Sequence, residues 1–175
     1  MAQLKNYFID ENVNSSEDLF NLSDYVLIVK TDDTPLYVGE GIINDCQVLK
    51  VLKGNDIKVN DVIKIYDLVF YWDTLRTIYL GGNTPLQRNE TYIVFLKETK
   101  RASLSDTYVY TSVKYGRISL SKERGILKNY KESSLNVQDI LEYDRVFSAN
   151  DDKEVENYQK IVQQIKDYIK NIEEE

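Results

Sequence analysis

The feature that most limits the fold is a succession of apolar, β-branched runs with no long helical pattern between them, followed by one long helical stripe. Residues 24–31 (DYVLIVKT) read as a strand that is nearly continuously apolar, which predicts cover on both faces. Residues 42–53 read as one long strand, 61–66 as another that continues towards 68–72, and 77–80 as a shorter one. Residues 91–96 (TYIVFL) form the most apolar run, and 107–113 alternate with a period of two, as a half-exposed strand does. A short strand is expected at 36–38. Asp32, Asp33 and Pro35, then Gly54, Asn55 and Asp56, then Asn60 and Asp61, supply turn chemistry between these runs. Five or six strands without intervening long helices imply an antiparallel sheet closed as a barrel or stacked as a sandwich. The irregular spacing and the one very long strand favour a small, strongly bent barrel.

Helices are expected at the two ends of this β region. Ser15 and Ser16 ahead of Glu17 and Asp18 are capping residues for a short helix that Leu19, Phe20 and Leu22 can dock. Residues 136–143 are a candidate short helix, and 151–172 a long one. In the long helix Val155, Tyr158, Ile161, Val162, Ile165, Tyr168, Ile169 and Ile172 recur in steps of three and one, so they share one stripe. The stripe is expected to pack on the outside of the barrel; docking on a partner or pairing with itself is the functional alternative. The whole chain, 1–175, reads as a single domain, with a barrel and leading helix over 15–131 and a helical element over 136–172. The fold class is therefore mainly β (α+β).

Composition narrows the chemistry. The 175 residues include no histidine and one cysteine, Cys46, so a histidine-based triad, a histidine-ligated metal, an internal disulfide and a zinc finger are all ruled out. Cys46 lies inside the 42–53 strand, where a lone thiol acts as a small hydrophobe. The remaining chemistry would rest on carboxylates, Lys, Tyr or Ser. Glu98-Thr99-Lys100 lacks the upstream half of a nuclease motif, and Asp32-Asp33 and Asp151-Asp152 lack the spacing of a calcium loop. No cofactor is implied. The net charge is −7, which disfavours general binding to phosphate backbones or anionic lipid. Against that background Lys114, Arg117, Lys122, Arg124, Lys128 and Lys131 face Glu123 alone. The segment reads as a solvated loop or hairpin and, more sharply, as an anion or partner-docking patch. The 14 tyrosines stand out too: Tyr108 and Tyr110 share one strand face, as do Phe70 and Trp72, and such pairs can form a ligand surface.

Residues 23–29, the strand end Val48-Leu49-Lys50-Val51-Leu52-Lys53-Gly54, the strand at 61–65 and the run 86–96 follow one another in a known order. Over residues 17–115 the chain resembles a group of uncharacterised bacterial extracytoplasmic proteins, many of them lipoproteins, similar to the OB-like barrel of tissue inhibitors of metalloproteinases. Asn89 stands where that group has glycine. The resemblance implies an OB-like barrel in the cell envelope, with Met1-Ala2 marking a trimmed start. It does not bring metalloproteinase inhibition, which requires an N-terminal cysteine and disulfides. Three readings follow in order: a non-catalytic envelope module binding a protein or small ligand; a cytoplasmic oligonucleotide-binding barrel; and a carboxylate-dependent or hard-metal enzyme.

Overall fold

The structure is a computed structural model that describes residues 13–32, 36–38, 41–67, 69–73, 76–79, 84–99, 106–121, 125–130, 143–148 and 152–174. The elements run α1 (Ser16–Leu22), β1 (Tyr25–Thr31), β2 (Leu36–Val38), β3 (Gly41–Lys53), β4 (Val62–Asp67), β5 (Val69–Asp73), β6 (Arg76–Tyr79), β7 (Thr91–Glu98), β8 (Thr107–Tyr110), β9 (Arg117–Ser119), β10 (Gly125–Tyr130), β11 (Tyr143–Ser148) and α2 (Asp152–Glu173).

Five strands close on themselves in the order β1-β3-β4-β8-β7 and back to β1. Four of the five junctions are antiparallel. The fifth, β4 with β8, is parallel and only two residue pairs long, Lys64 opposite Thr107 and Ile65 opposite Tyr108. The barrel is therefore mixed, and this is the strand path of a small OB-like barrel. The parallel junction has a simple cause: a Greek-key path returns β8 beside β4 only after β7 has reversed the chain. β2 extends the sheet beyond β3, and β5 and β6 form a separate hairpin. β3 serves three neighbours, β2 over 41–43, β4 over 42–47 and β1 over 46–53, and it bends along the way: its register with β1 slips at two bulges, which pass over Leu49 and Leu52.

The near-continuous apolarity of β1 and β7 is explained by two cores. Tyr25, Leu27 and Val29 of β1 and Tyr92, Val94 and Leu96 of β7 point into the barrel with Cys46, Val48, Ile63, Ile65 and Tyr110. Val26, Ile28, Ile93 and Phe95 point the other way, into a second core with Leu19 of α1 and Val155, Tyr158, Ile161, Ile165 and Ile169 of α2. The long helix thus buries Val155, Tyr158, Ile161, Ile165 and Ile169 of its stripe on the barrel wall of its own chain, with Val162 and Ile172 partly buried and Tyr168 39% exposed at the edge. The short helix starts at Ser15, whose Oγ accepts from the Asp18 N–H at 3.1 Å. Its C-terminal carbonyls of Phe20 and Asn21 accept from Lys53 Nζ at 2.6 and 3.2 Å.

Two expectations change. The strand expected over 107–113 stops at Tyr110, and the ladder along β7 resumes at Arg117 opposite Val94. The residues between loop out opposite Phe95, whose carbonyl accepts from the Thr111 N–H while its own N–H donates to the Gly116 carbonyl, at 2.9 and 2.8 Å. Gly116 is required there, because a Cβ would stand 2.4 Å from the Ser112 carbonyl oxygen and 2.5 Å from the Tyr110 Cβ. The helix expected over 136–143 lies outside the described residues except Tyr143, which opens β11, paired in parallel with β10. Asn89 adopts φ 57°, the left-handed conformation that glycine and asparagine accept most readily.

Helix docking yields a test. Ile161 is fully buried, whereas Gln163 one face away is exposed. Ile161→Ala should lower unfolding free energy by about 2–5 kcal/mol, and Gln163→Ala by less than about 0.5 kcal/mol. Urea melts followed by circular dichroism measure both.

Candidate functional site

Of the residues marked by charge, the two whose side chains are described, Lys114 and Arg117, do not share a surface. Lys114 is exposed and ion-paired with Glu154 at the start of α2. Arg117 is buried: its Nη1 lies 3.3 Å from Asp67 Oδ2, with both side chains almost wholly out of solvent. Lys128 lies on β10; Lys122, Arg124 and Lys131 lie outside the described residues. The stretch is thus not a free loop, since it contributes β9 and β10 to the fold. Tyr110 is 2% exposed and belongs to the barrel core. Tyr108 is half-buried and packs edge-on against Tyr25, with ring centroids 5.2 Å apart. Tyr110 therefore presents no stacking platform to a ligand. Phe70 and Trp72 lie on β5, where Phe70 stands opposite Ile78 of β6.

Asp67 and Arg117 make the inside of one barrel end polar. Asp67 Oδ2 also accepts from the Leu86 N–H at 3.0 Å, so one carboxylate ties β4, β9 and the segment entering β7. Burial raises the Asp67 pKa above its usual 3.8, opposed by Arg117 and by the Leu86 N–H. Burial works against the Arg117 cation, but Asp67 and the phenols of Tyr110 and Tyr92 overcome it, and the guanidinium stays protonated. Tyr110 Oη and Asn44 Nδ2, both buried, make no hydrogen bond.

A second buried arginine was not signalled by the sequence. Arg145 of β11 is 1% exposed, its guanidinium 4.7 Å from the Tyr158 ring centroid and 5.7 Å from that of Tyr115. Burial pushes its pKa down to about 10, against the pull of the two phenols. An arginine in the acidic C-terminal third looks like any surface cation; only the aromatic residues that α2 and the 111–116 loop bring to it reveal its place.

The outward face of β3 and β4 has the character of a binding surface. Inward positions on β4 are Ile63, Ile65 and Asp67, which leaves Val62, Lys64 and Tyr66 outside. Register places Val62 beside Gln47 and Lys64 beside Asp45. Leu49 follows Gln47 at the bulge. The turn carrying Val59 closes alongside it, because the Asn60 N–H donates to the Val48 carbonyl and the Val48 N–H to the Asp61 carbonyl, each at 2.8 Å. Val62 is 66% exposed, Val59 52% and Leu49 40%, so three large aliphatics face solvent together. The signal was present in β4 itself, where Val62 occupies the same alternation phase as Lys64. A shallow concavity of about 310 Å³ elsewhere, between the end of β9 and α2, mixes Lys166 and Lys170 with Glu173.

Among the described residues no three Cys, Asp or Glu side chains cluster so as to hold a metal ion, and no helix is long and apolar enough to cross a membrane. Compared with protein-family models, curated proteins and solved structures, the chain matches none.

The buried pair gives a pH prediction. Arg117→Met removes the cation that opposes burial, so Asp67 titrates higher still. A carboxyl whose folded pKa exceeds its unfolded pKa stabilises fully below the unfolded value and loses that contribution as pH rises through the folded value. The variant's urea midpoint should therefore fall from pH 4 to pH 8 more steeply than the wild type's, with a loss of about 3–5 kcal/mol at pH 7. Arg117→Met/Asp67→Asn should lose the extra slope. A second test concerns Cys46, which is fully buried in β3, where burial pushes its thiol pKa well up. It should resist alkylation by iodoacetamide in the native protein at pH 8 and react in 6 M guanidinium, as mass spectrometry would show.

Proposed function

We propose that this chain is a non-catalytic binding module that docks a protein partner on the outward face of β3 and β4. The observation that carries this reading is the exposed group Leu49, Val59 and Val62 beside Gln47 and Lys64. OB-type barrels bind ligands across the face made by their second and third strands, which here are β3 and β4. The fully exposed side chains on it are aliphatic and lysine or amide, and its aromatic residue, Tyr66, is half-buried with its ring over Gly41, which suits a protein surface better than stacked bases. The net charge of −7 and the burial of Arg117 weigh the same way. The location we assign is the bacterial cell envelope, on the strength of the sequence resemblance.

The test compares wild type with Leu49→Lys/Val62→Lys as baits on separate envelope and cytosolic fractions of the source cells. The expected result is an envelope protein retained by the wild type, its Kd weakened at least about tenfold, or about 1.4 kcal/mol, by the double variant at an unchanged melting temperature. Equal retention by both baits would remove the face from consideration. Tight, salt-sensitive binding of a fluorescent oligonucleotide would favour nucleic acid instead.

A further inference from the structure

The polar end of the barrel interior holds more hydrogen-bonding capacity than the protein satisfies. Tyr110 Oη is fully enclosed and makes no hydrogen bond, and Asn44 Nδ2 is buried in the same condition. Both side chains belong to the interior. Asn44 shares the inward phase of Cys46 on β3, and Tyr110 packs in the barrel core. Their places on the strands converge. Asn44 stands opposite Ile65, Ile65 stands opposite Tyr108, and Asp67 and Tyr110 each lie one inward step further along the parallel pair. Tyr110 also senses the charges of Asp67 and Arg117 directly. A phenol that can donate or accept, a carboxylate and a guanidinium therefore meet at one end of an otherwise apolar interior, with the Asn44 amide one inward row away.

We propose that this end of the barrel is an internal water site, with Tyr110 Oη, Asn44 Nδ2 and the Asp67–Arg117 pair as its protein ligands. Water suits these groups on three counts. A buried donor left without an acceptor is costly, and enclosed native polar groups are almost always satisfied by protein or by ordered water. Internal water needs two to four polar partners of mixed donor and acceptor character, and the cluster offers that mixture. Asn44, Asp67, Tyr110 and Arg117 are all under one-tenth exposed, so these polar groups are withdrawn from bulk solvent and must be satisfied from within. The site also lies beyond the two-pair β4–β8 junction, where the backbone ladder no longer spans the gap between these strands.

The test is water–protein cross-relaxation by NMR on the full chain, observed at the Leu86 N–H, which donates to Asp67, and at the Tyr110 ring. The expected result is a cross-peak to water whose sign marks a residence time longer than about a nanosecond, lost in Tyr110→Phe at both positions. A wild type without that cross-peak overturns the proposal, and this arm holds even if the variant does not fold. A cross-peak that survives unchanged in Tyr110→Phe overturns it equally, because the phenol would then not be a ligand.

Discussion

Everything in this molecule leans on the antiparallel ribbon of β1 and β7. Each strand sends alternate side chains to opposite sides, and each side meets a core. Remove the barrel from one face or the helices from the other and a row of Val, Ile, Leu and Phe side chains would stand in water. At roughly 25 cal/mol per Å² of apolar surface, that exposure outweighs the few kcal/mol by which a domain of this size is stable. The ribbon therefore couples the barrel to α1 and α2, and neither half can be loosened without the other.

The other junctions are graded in strength. β3 pairs along most of its length with β1 or β4, whereas β4 meets β8 over two residues only. Past that point closure passes from backbone to side chains: Asp67 reaches Arg117 of β9 and the Leu86 amide. A buried ion pair is a weak source of net stability, because each charge gives up water to enter. Its value here is geometric. Among the described residues the cation that satisfies Asp67 is Arg117, so the pair fixes where β9 and the segment before β7 sit.

Much of the architecture was readable from residue pattern, and what escaped was non-local. The strands at 24–31, 42–53, 61–66 and 91–96, and the long helix, follow from β-branched runs and from helical spacing, both of which act within a few residues. In sequence Arg117 looks like one more surface cation, because its buried partner, Asp67, is remote along the chain. Alternation puts Tyr108 and Tyr110 on one face but does not tell which face is inside. The break at 111–116 arises from hydrogen bonds to Phe95 on another strand. Nothing within residues 107–117 announces it apart from Gly116. The β3–β4 face was legible in part, through Val62 in the phase of Lys64, and was missed because a lone exposed valine is unremarkable until the turn at 59–60 is folded beside it.

The double-sided ribbon also governs how the chain must be made. β1 finds β7 across a gap in sequence that runs from Lys30 opposite Thr91 to Tyr25 opposite Leu96. During synthesis at about 5–20 residues per second, β1 waits roughly 3–14 s for its partner to emerge. The helix that covers its second face comes last of all. Until β7 emerges the barrel side of this apolar early segment is incompletely covered, and its second side stays so until the helix follows; pairing so distant is slow by nature. The same residues that make the finished barrel cohesive thus make the nascent chain prone to aggregate, and a cell producing it gains from a chaperone held on residues 24–31 until β7 arrives.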